Sequence, residues 1–451
     1  MNTITKMNPN MKNNNNTERM PFFPMVGIEC TMIPQVKDNM RELDQFDLMQ
    51  HYTRWREDLD LIARLRTDHL SVTRVRWCIP WYRVETAPGV YDFEWTDQVI
   101  AYAEQLGIEL IPDLVHYGTP MWMPEAFLDP TYPERVAAFA TVCAERYKGR
   151  IHHWTPFNEP AVTALFCGRR GEWPPYKSSE EGYVRILMAV AIGMQRTVTA
   201  IRAIDPTATI WSAEALHNYH PLNEEAKPAA QAALRRDLVS WDLVHGRVDE
   251  NHPCFAWLSE NGATAEQFAN LQANAVTMDI LGINFYPWGS ETYEWKDGAI
   301  HQHWDWNGKH MQELLRECYK YTGATLYVTE TSAHGGGGPK SQTMIDGAGD
   351  FRIRWLDETM DAVAAARREG IPVLGYTQFP LFTMVDWKYR MEDGTPDEFF
   401  VHFGMIEVDA KDYSRQWTAV ADRFMHHMRT FERDATVEAA SPERVEELVE
   451  A

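Results

Sequence analysis

Eight short apolar runs, each closing on or beside a polar residue, constrain the fold of this 451-residue chain more than any other feature. They are PMVGIE (24–29), LSVTRVRW (70–77), IELIPDLVH (108–116), IHHWTPFN (151–158), ATIWSAE (208–214), MDILGINFY (278–286), TLYVTE (325–330) and PVLGYTQF (372–379). Their length and β-branched or aromatic content read as strands. Between them lie stretches with helical periodicity: YTRWREDLDLIARL, WTDQVIAYAEQLG, PERVAAFATVCAERYKG, EGYVRILMAVAIGMQRTVTAIRAI and FRIRWLDETMDAVAAARREG. Three of these end in Gly just before the next apolar run, as C-capped helices do. Strands that alternate with helices must run parallel, because a crossover of helical length joins each pair. Eight such units predict an α/β chain closed into a single-domain (β/α)8 barrel. A doubly wound sheet is the alternative, but no GxGxxG or Walker loop follows any of the runs.

In a barrel of this kind the chemistry sits where the strands end. Polar residues recur there: Glu29, Arg76, His116, Asn158, Glu159, Glu214, Asn284, Tyr286 and Glu330. Polar residues placed only for solubility would scatter over the helices instead. Glu159 ends the fourth strand and Glu330 the seventh, so the two carboxylates face each other across the barrel axis. Such a pair suits glycoside hydrolysis, where one carboxyl protonates the leaving oxygen and the other acts at the anomeric carbon. Arg76 and Tyr286 stand at neighbouring strand ends, placed to hold one carboxylate charged, and Asn158 stands beside the other to meet a sugar hydroxyl.

Charge and cysteine usage narrow the partners. A formal net charge of -22 offers no basic field for nucleic acid or an anionic membrane. Six scattered cysteines without a CxxC pair read as reduced thiols. The opening MNTITKMNPNMKNNNNTERM lacks the apolar core of a secretory signal, and no run of membrane-spanning length stands out, so the expected location is the cytoplasm. Residues 1–20 read as an Asn-rich disordered tail, 21–432 as the barrel and 433–451 as an acidic tail. The segments about 216–262 and 287–310 read as irregular loops over the barrel mouth. In the second, HQHWDWNGKH has the look of a metal site but no second ligand cluster, so no metal is expected; Trp304 and Trp306 there read as aglycone contacts. Arg169 and Arg170 read as partners of nearby carboxylates, and the glycines of AHGGGGPK (333–340) as a flexible loop.

Several of these segments together resemble glycoside hydrolase family 1. TPFNEP (155–160) is similar to the family's TFNEP and TLYVTETS (325–332) to its ITENG. RWCIPWYR (76–83) resembles RFSISWSR, LVHYGTP (114–120) resembles LYHWDLP, and LGINFY (281–286) resembles LGINYY. GYTQFPLFTMVDW (375–387) and HFGMIEVD (402–409) resemble GYFVWSLMDNFEW and RFGLYYVD, so the likeness spans about 22–430. The resemblance implies a (β/α)8 barrel, no cofactor, Glu159 as general acid/base and Glu330 as nucleophile of a retaining β-glycosidase. It also implies sugar-binding roles for Arg76, His116, Asn158, Asn284 and Tyr286.

The departures bear on specificity. The family's first-strand QIEGA is missing; this chain has VGIECTMIPQV, where Glu29 is the candidate replacement for the missing Gln. The family's FEW becomes VDW, so Asp386 and Trp387 are the candidates for reading the far end of the sugar. Phe379 replaces a platform Trp, Tyr117 stands where the family has Trp, and Gly118 where it has Asp. Lys388 and Tyr389 are adjacent, which breaks the Lys-x-Tyr clamp of the family's phosphosugar branch. The expected partner is a small-molecule β-glycoside, and a homo-oligomer stays open. Three other readings are a transglycosidase on the same site, a catalytically lapsed glycan-binding barrel and a metal-dependent barrel hydrolase.

Overall fold

The computed structural model describes residues 21–67, 70–341 and 350–433; the expected tails at 1–20 and 433–451 lie outside them except for Arg433, which ends the helix Ala419–Arg433. Each of the eight apolar runs contains or overlaps a strand: β1 (Phe23–Gly27), β2 (Arg74–Cys78), β3 (Glu109–Asp113), β4 (His153–Trp154), β5 (Thr209–Ile210), β6 (Ile280–Asn284), β7 (Thr325–Thr331) and β8 (Val373–Gln378). A continuous parallel ladder runs β6–β7–β8–β1–β2–β3. β4 and β5 pair in parallel with each other. Bridges between Asp113 and Thr155 and between Trp211 and Ile280 join that pair to β3 and β6, which closes the ring. The expected (β/α)8 barrel is the fold.

The barrel is apolar at its base. Met25, Ile111, Trp211, Ile280 and Tyr327 form one buried cluster, with the Trp211 and Tyr327 rings 4.9 Å apart. Met25, Ile111, Ile280 and Tyr327 sit at the start of their strands or midway along them and Trp211 directly follows the short β5, whereas Asn158, Glu159, Asn284, Tyr286 and Glu330 sit at or beyond strand ends. Inward-pointing layers of a barrel are packed rather than hollow, so this layer forms a floor beneath the polar one.

Outside the ring, the predicted helical stretches appear as His51–Ala63, Glu94–Gln105, Tyr132–Arg146, Glu180–Ile204 and Phe351–Arg368. One more helix, His310–Thr322, buries Met311, Leu314, Leu315 and Cys318 at the spacing of a single helix face and fills the crossover after β6. Glu180–Ile204, at 25 residues, is long and apolar enough to cross a membrane, which corrects the expectation that no segment is. Sixty-seven per cent of its apolar window is buried in the fold, as befits a core helix.

The two inserts are not irregular. The first holds a strand, Asn218–Pro221, and helices Lys227–Asp237, Val239–Val244 and Phe255–Glu260. The second is a hairpin, Ser290–Lys296 with Ala299–Trp304, and Asn218–Pro221 pairs alongside it. Its turn is Asp297-Gly298, with φ of 53° and 83°, the left-handed pair that a tight two-residue hairpin turn requires. The run 333–340 is also ordered. Its backbone bonds to segment 398–402 through Gly335, Gly338 and Lys340, and a Cβ on Gly337 would lie 2.0 Å from the Phe400 carbonyl oxygen. Gly337 and Gly338 let the chain approach the backbone of 397–400 closely.

Trp211→Ala removes the largest side chain of the barrel floor, where little can collapse to refill the space. It is expected to lower unfolding free energy by about 3–5 kcal/mol in a denaturant titration.

Candidate active site

Above the floor, one buried guanidinium organises the strand ends. Arg76, fully buried on β2, donates from Nη1 to Glu330 Oε1 at 2.6 Å and from Nη2 to Asp113 Oδ2 at 2.6 Å. Nη2 also donates to Asn158 Oδ1 at 2.9 Å. Burial would raise the Asp113 carboxyl, but Arg76 and His116 outweigh it and hold the group below its ordinary value. Because Arg76 fixes Asn158 Oδ1, the amide nitrogen of Asn158 donates to His116 Nε2 at 3.2 Å. That leaves the imidazole proton on Nδ1, 3.0 Å from Asp113 Oδ2. Both nitrogens of His116 are thus engaged within the protein.

A β-bulge brings the opposite wall into place. β6 and β7 pair Ile283 with Val328 but Asn284 with Glu330, so Thr329 is the extra residue. A bulge of this kind turns the strand and re-aims its side chains. Here the Thr329 hydroxyl donates to Asn284 Oδ1 at 2.7 Å, which frees the Asn284 amide to donate to Glu159 Oε1 at 2.8 Å. Tyr286, two residues on, donates its hydroxyl to Glu330 Oε2 at 2.8 Å and stacks on Trp288, with ring centroids 4.6 Å apart at 8°.

Glu159 itself sits in left-handed backbone, φ 46° and ψ 69°, before Pro160 opens a short helix. The second oxygen of its carboxylate accepts from the Tyr117 hydroxyl. Tyr117 is also left-handed, at φ 73°. Non-glycine residues pay about 1–3 kcal/mol for this conformation and keep it mainly where function demands. After Glu159 the helix widens into a π turn over Leu165–Arg170, a distortion common at functional sites. Phe166 from that turn stacks on Trp173 at 4.3 Å, and Trp387 meets both rings and Tyr117 edge-on. Among the described residues, the buried Trp387 Nε1 has no hydrogen-bond partner.

The two carboxyls differ in what neutralises them. Burial pushes both up. At Glu330, Arg76 opposes that rise while the charge on Glu159 adds to it. At Glu159, the groups that bond it directly are the neutral Tyr117 hydroxyl and Asn284 amide. Nearby Glu214, buried after β5, accepts from the Ser240 hydroxyl at 2.6 Å, and burial pushes it up to about 7.

The structure therefore gathers Glu159, Glu330, Arg76, Asn158, His116, Asn284 and Tyr286 into one hydrogen-bonded network. Glu29 lies beside it, close enough to act on Tyr117 and Tyr286, with one oxygen held by Thr31 N at 3.0 Å. Asp386 accepts from Lys388 N at 3.0 Å and caps the turn Trp387–Arg390. Trp306 packs against Phe351, whereas Trp295 and Trp304 are exposed on the hairpin. Arg169 pairs with Glu180 at 2.7 Å, as expected. His301 and His303 are exposed on the hairpin while His310 stacks on His220, so HQHWDWNGKH does not converge. Cys30, Asp113 and His116 offer ligand atoms within 4.8 Å of one another. However, the Arg76 guanidinium already supplies positive charge at Asp113, and a second cation there would be repelled. Sequence reasoning missed Asp113, Phe166 and Trp173, each named only by what it touches in three dimensions, and noted Tyr117 only as a departure from the family's motif.

The sequence profile of glycosyl hydrolase family 1 matches residues 35–298, more than half of the chain, and the chain belongs to that family. It is a β-glycosidase. Among its relatives, β-glucosidase 47 of Arabidopsis thaliana is 22% identical over 81% of this chain and 73% of its own length. The 6-phospho-β-glucosidase of Clostridium longisporum is 22% identical over 85% and 84%, and β-glucosidase 1B of Phanerodontia chrysosporium is 27% identical over 79% and 72%. In fold, the chain matches the family 1 β-glucosidase of Thermotoga maritima with a TM-score of 0.74 over 91% of this chain and 98% of that one, at 17% identity. The profile covers Glu159 and Asn284 but stops short of β7, so the Glu330 side of the site rests on its own geometry.

Glu214 supplies a pH test of the site's electrostatics. Its folded value, about 7, lies above its ordinary 4.5, so the stability it allows is complete below about 4.5 and is lost as pH rises to about 7. Glu214→Gln should flatten the stability profile across that window and raise the melting temperature at pH 8.

Proposed function

We propose that Glu330 and Glu159 cleave a small β-linked glycoside by double displacement with retention of configuration. The observation that carries this reading is the asymmetry of the two acids. Glu330 holds Arg76 at 2.6 Å and Tyr286 at 2.8 Å, whereas Glu159 is bonded by neutral donors. In one buried site the single charge goes where the cation is, so Glu330 carries it and Glu159 keeps the proton.

In the first step Glu330 Oε attacks the anomeric carbon, the glycosidic C–O bond breaks, and Glu159 delivers its proton to the departing oxygen. In the second, Glu159, now ionised, takes a proton from water, which attacks the same carbon and expels Glu330. The aromatic cluster of Tyr117, Phe166, Trp173 and Trp387 beside Glu159 supports an apolar surface next to the acid, as sugar recognition uses. The net charge of -22 supports a small neutral or cationic partner over a polyanion.

A panel of aryl β-glycosides differing in the sugar tests the proposal. Glu330→Ala should lose turnover on the preferred sugar and regain it with azide, giving the α-glycosyl azide. Glu159→Ala should lose about 10²–10⁴-fold on a poor leaving group, much less on an activated one, and yield the β-glycosyl azide. Turnover unchanged in either variant would overturn the assignment.

A further inference from the structure

We propose that Tyr117 is a positioning residue for Glu159: its hydroxyl aims the acid/base carboxyl and sets the upper end of the pH range in which that carboxyl can give up a proton. The inference rests on the acid/base reading of Glu159. It goes beyond that reading because the family's LYHWDLP motif carries Trp at this position, whose indole has no hydroxyl.

Three observations carry it. First, the Tyr117 hydroxyl donates directly to Glu159 Oε2, while Asn284 holds Oε1 at 2.8 Å, so the carboxyl is gripped at both oxygens. Second, both partners of that bond stand in left-handed backbone, φ 73° and 46°, although neither is glycine. Two independent chain segments thus adopt a disfavoured conformation whose result is that their side chains meet. Third, Tyr117 has little room to be anywhere else. Its ring lies 4.8 Å from His116, 5.1 Å from Trp173 and 5.4 Å from Trp387. The next residue, Gly118, passes so close to the chain after β1 that a Cβ there would fall 1.6 Å from the Met32 carbonyl oxygen. Gln35 then ties down the Thr119 and Pro120 carbonyls at 2.9 and 3.1 Å.

The electrostatic consequence has a definite sign. A donor to a carboxylate stabilises its charged form and so makes the acid stronger. The other titratable groups acting on Glu159 or feeling it are Arg76 on β2, His116 after β3, Glu214 and His217 after β5, Tyr286 after β6 and Glu330 on β7; Glu29 acts on Tyr117 itself. None of these is altered by removing one phenolic oxygen, so Tyr117→Phe isolates the bond. Without it Glu159 becomes a weaker acid, held at one oxygen only.

The test is the pH dependence of kcat/KM on an aryl β-glycoside with a poor leaving group, for wild type and Tyr117→Phe. The alkaline limb should move up by roughly one pH unit, and the plateau should fall by about 10-fold. With a dinitrophenyl leaving group, which needs no proton, the plateau should barely change. A second variant, 3-fluorotyrosine introduced at 117, keeps the ring packing and makes a stronger donor, and should shift the limb downward. Coincident limbs in all three proteins would overturn the proposal. So would an equal loss on both leaving groups with an unmoved limb, which is the signature of mere packing. Glu159→Ala with azide separates the two levels. A β-glycosyl azide with an unmoved Tyr117→Phe limb removes only the Tyr117 inference; no β-glycosyl azide removes the acid/base reading beneath it.

Discussion

The site depends on one buried cation. Arg76 reaches Asp113, Asn158 and Glu330 from three different strand ends, and it has no exposure to solvent. A guanidinium suits this task because its fork of donors is planar and stays charged in a dry environment. Removing it would leave two carboxylates buried without a counter-charge, a far larger penalty than the loss of any single hydrogen bond. Asp113 is as much a part of the arrangement as Glu330. By balancing part of the guanidinium's charge and orienting the His116 ring, it converts a lone buried arginine into a scaffold to which Asn158 can be fastened.

Around this centre the fold solves a problem of aim. Side chains at the ends of parallel strands point up from the barrel but need not converge. Two local irregularities bend them inward. The bulge at Thr329 sets Asn284 level with Glu330, and the left-handed turn at Glu159 swings its carboxyl toward Asn284 and Tyr117. Regular backbone supplies the platform, and strained backbone supplies the direction.

What the sequence discloses follows from this division. The eight strands were legible because each is a short apolar run bounded by turns, and the strand-end positions of Arg76, Asn158, Glu159, Asn284, Tyr286 and Glu330 followed from them. That Arg76 and Tyr286 grip Glu330 rather than Glu159 is legible only in part, since it depends on which neighbours the barrel places together. Asp113 reads in sequence as one more strand residue, and nothing near it hints at an ion pair with a residue 37 positions earlier. The hairpin at 290–304 carried its signal in Asp297-Gly298, yet its exposed, polar strands hide the alternation by which strands are usually found. The helix His310–Thr322 follows that hairpin so closely that its apolar face is easy to merge with the loop before it.

The apolar floor of Met25, Ile111, Trp211, Ile280 and Tyr327 has a consequence for traffic. A barrel plugged at its base is a blind well. Among the described residues that layer shuts off the lower end, so the polar network is approached from the side opposite it. The floor thus gives the barrel a direction, with one end for packing and the other for exchange with solvent.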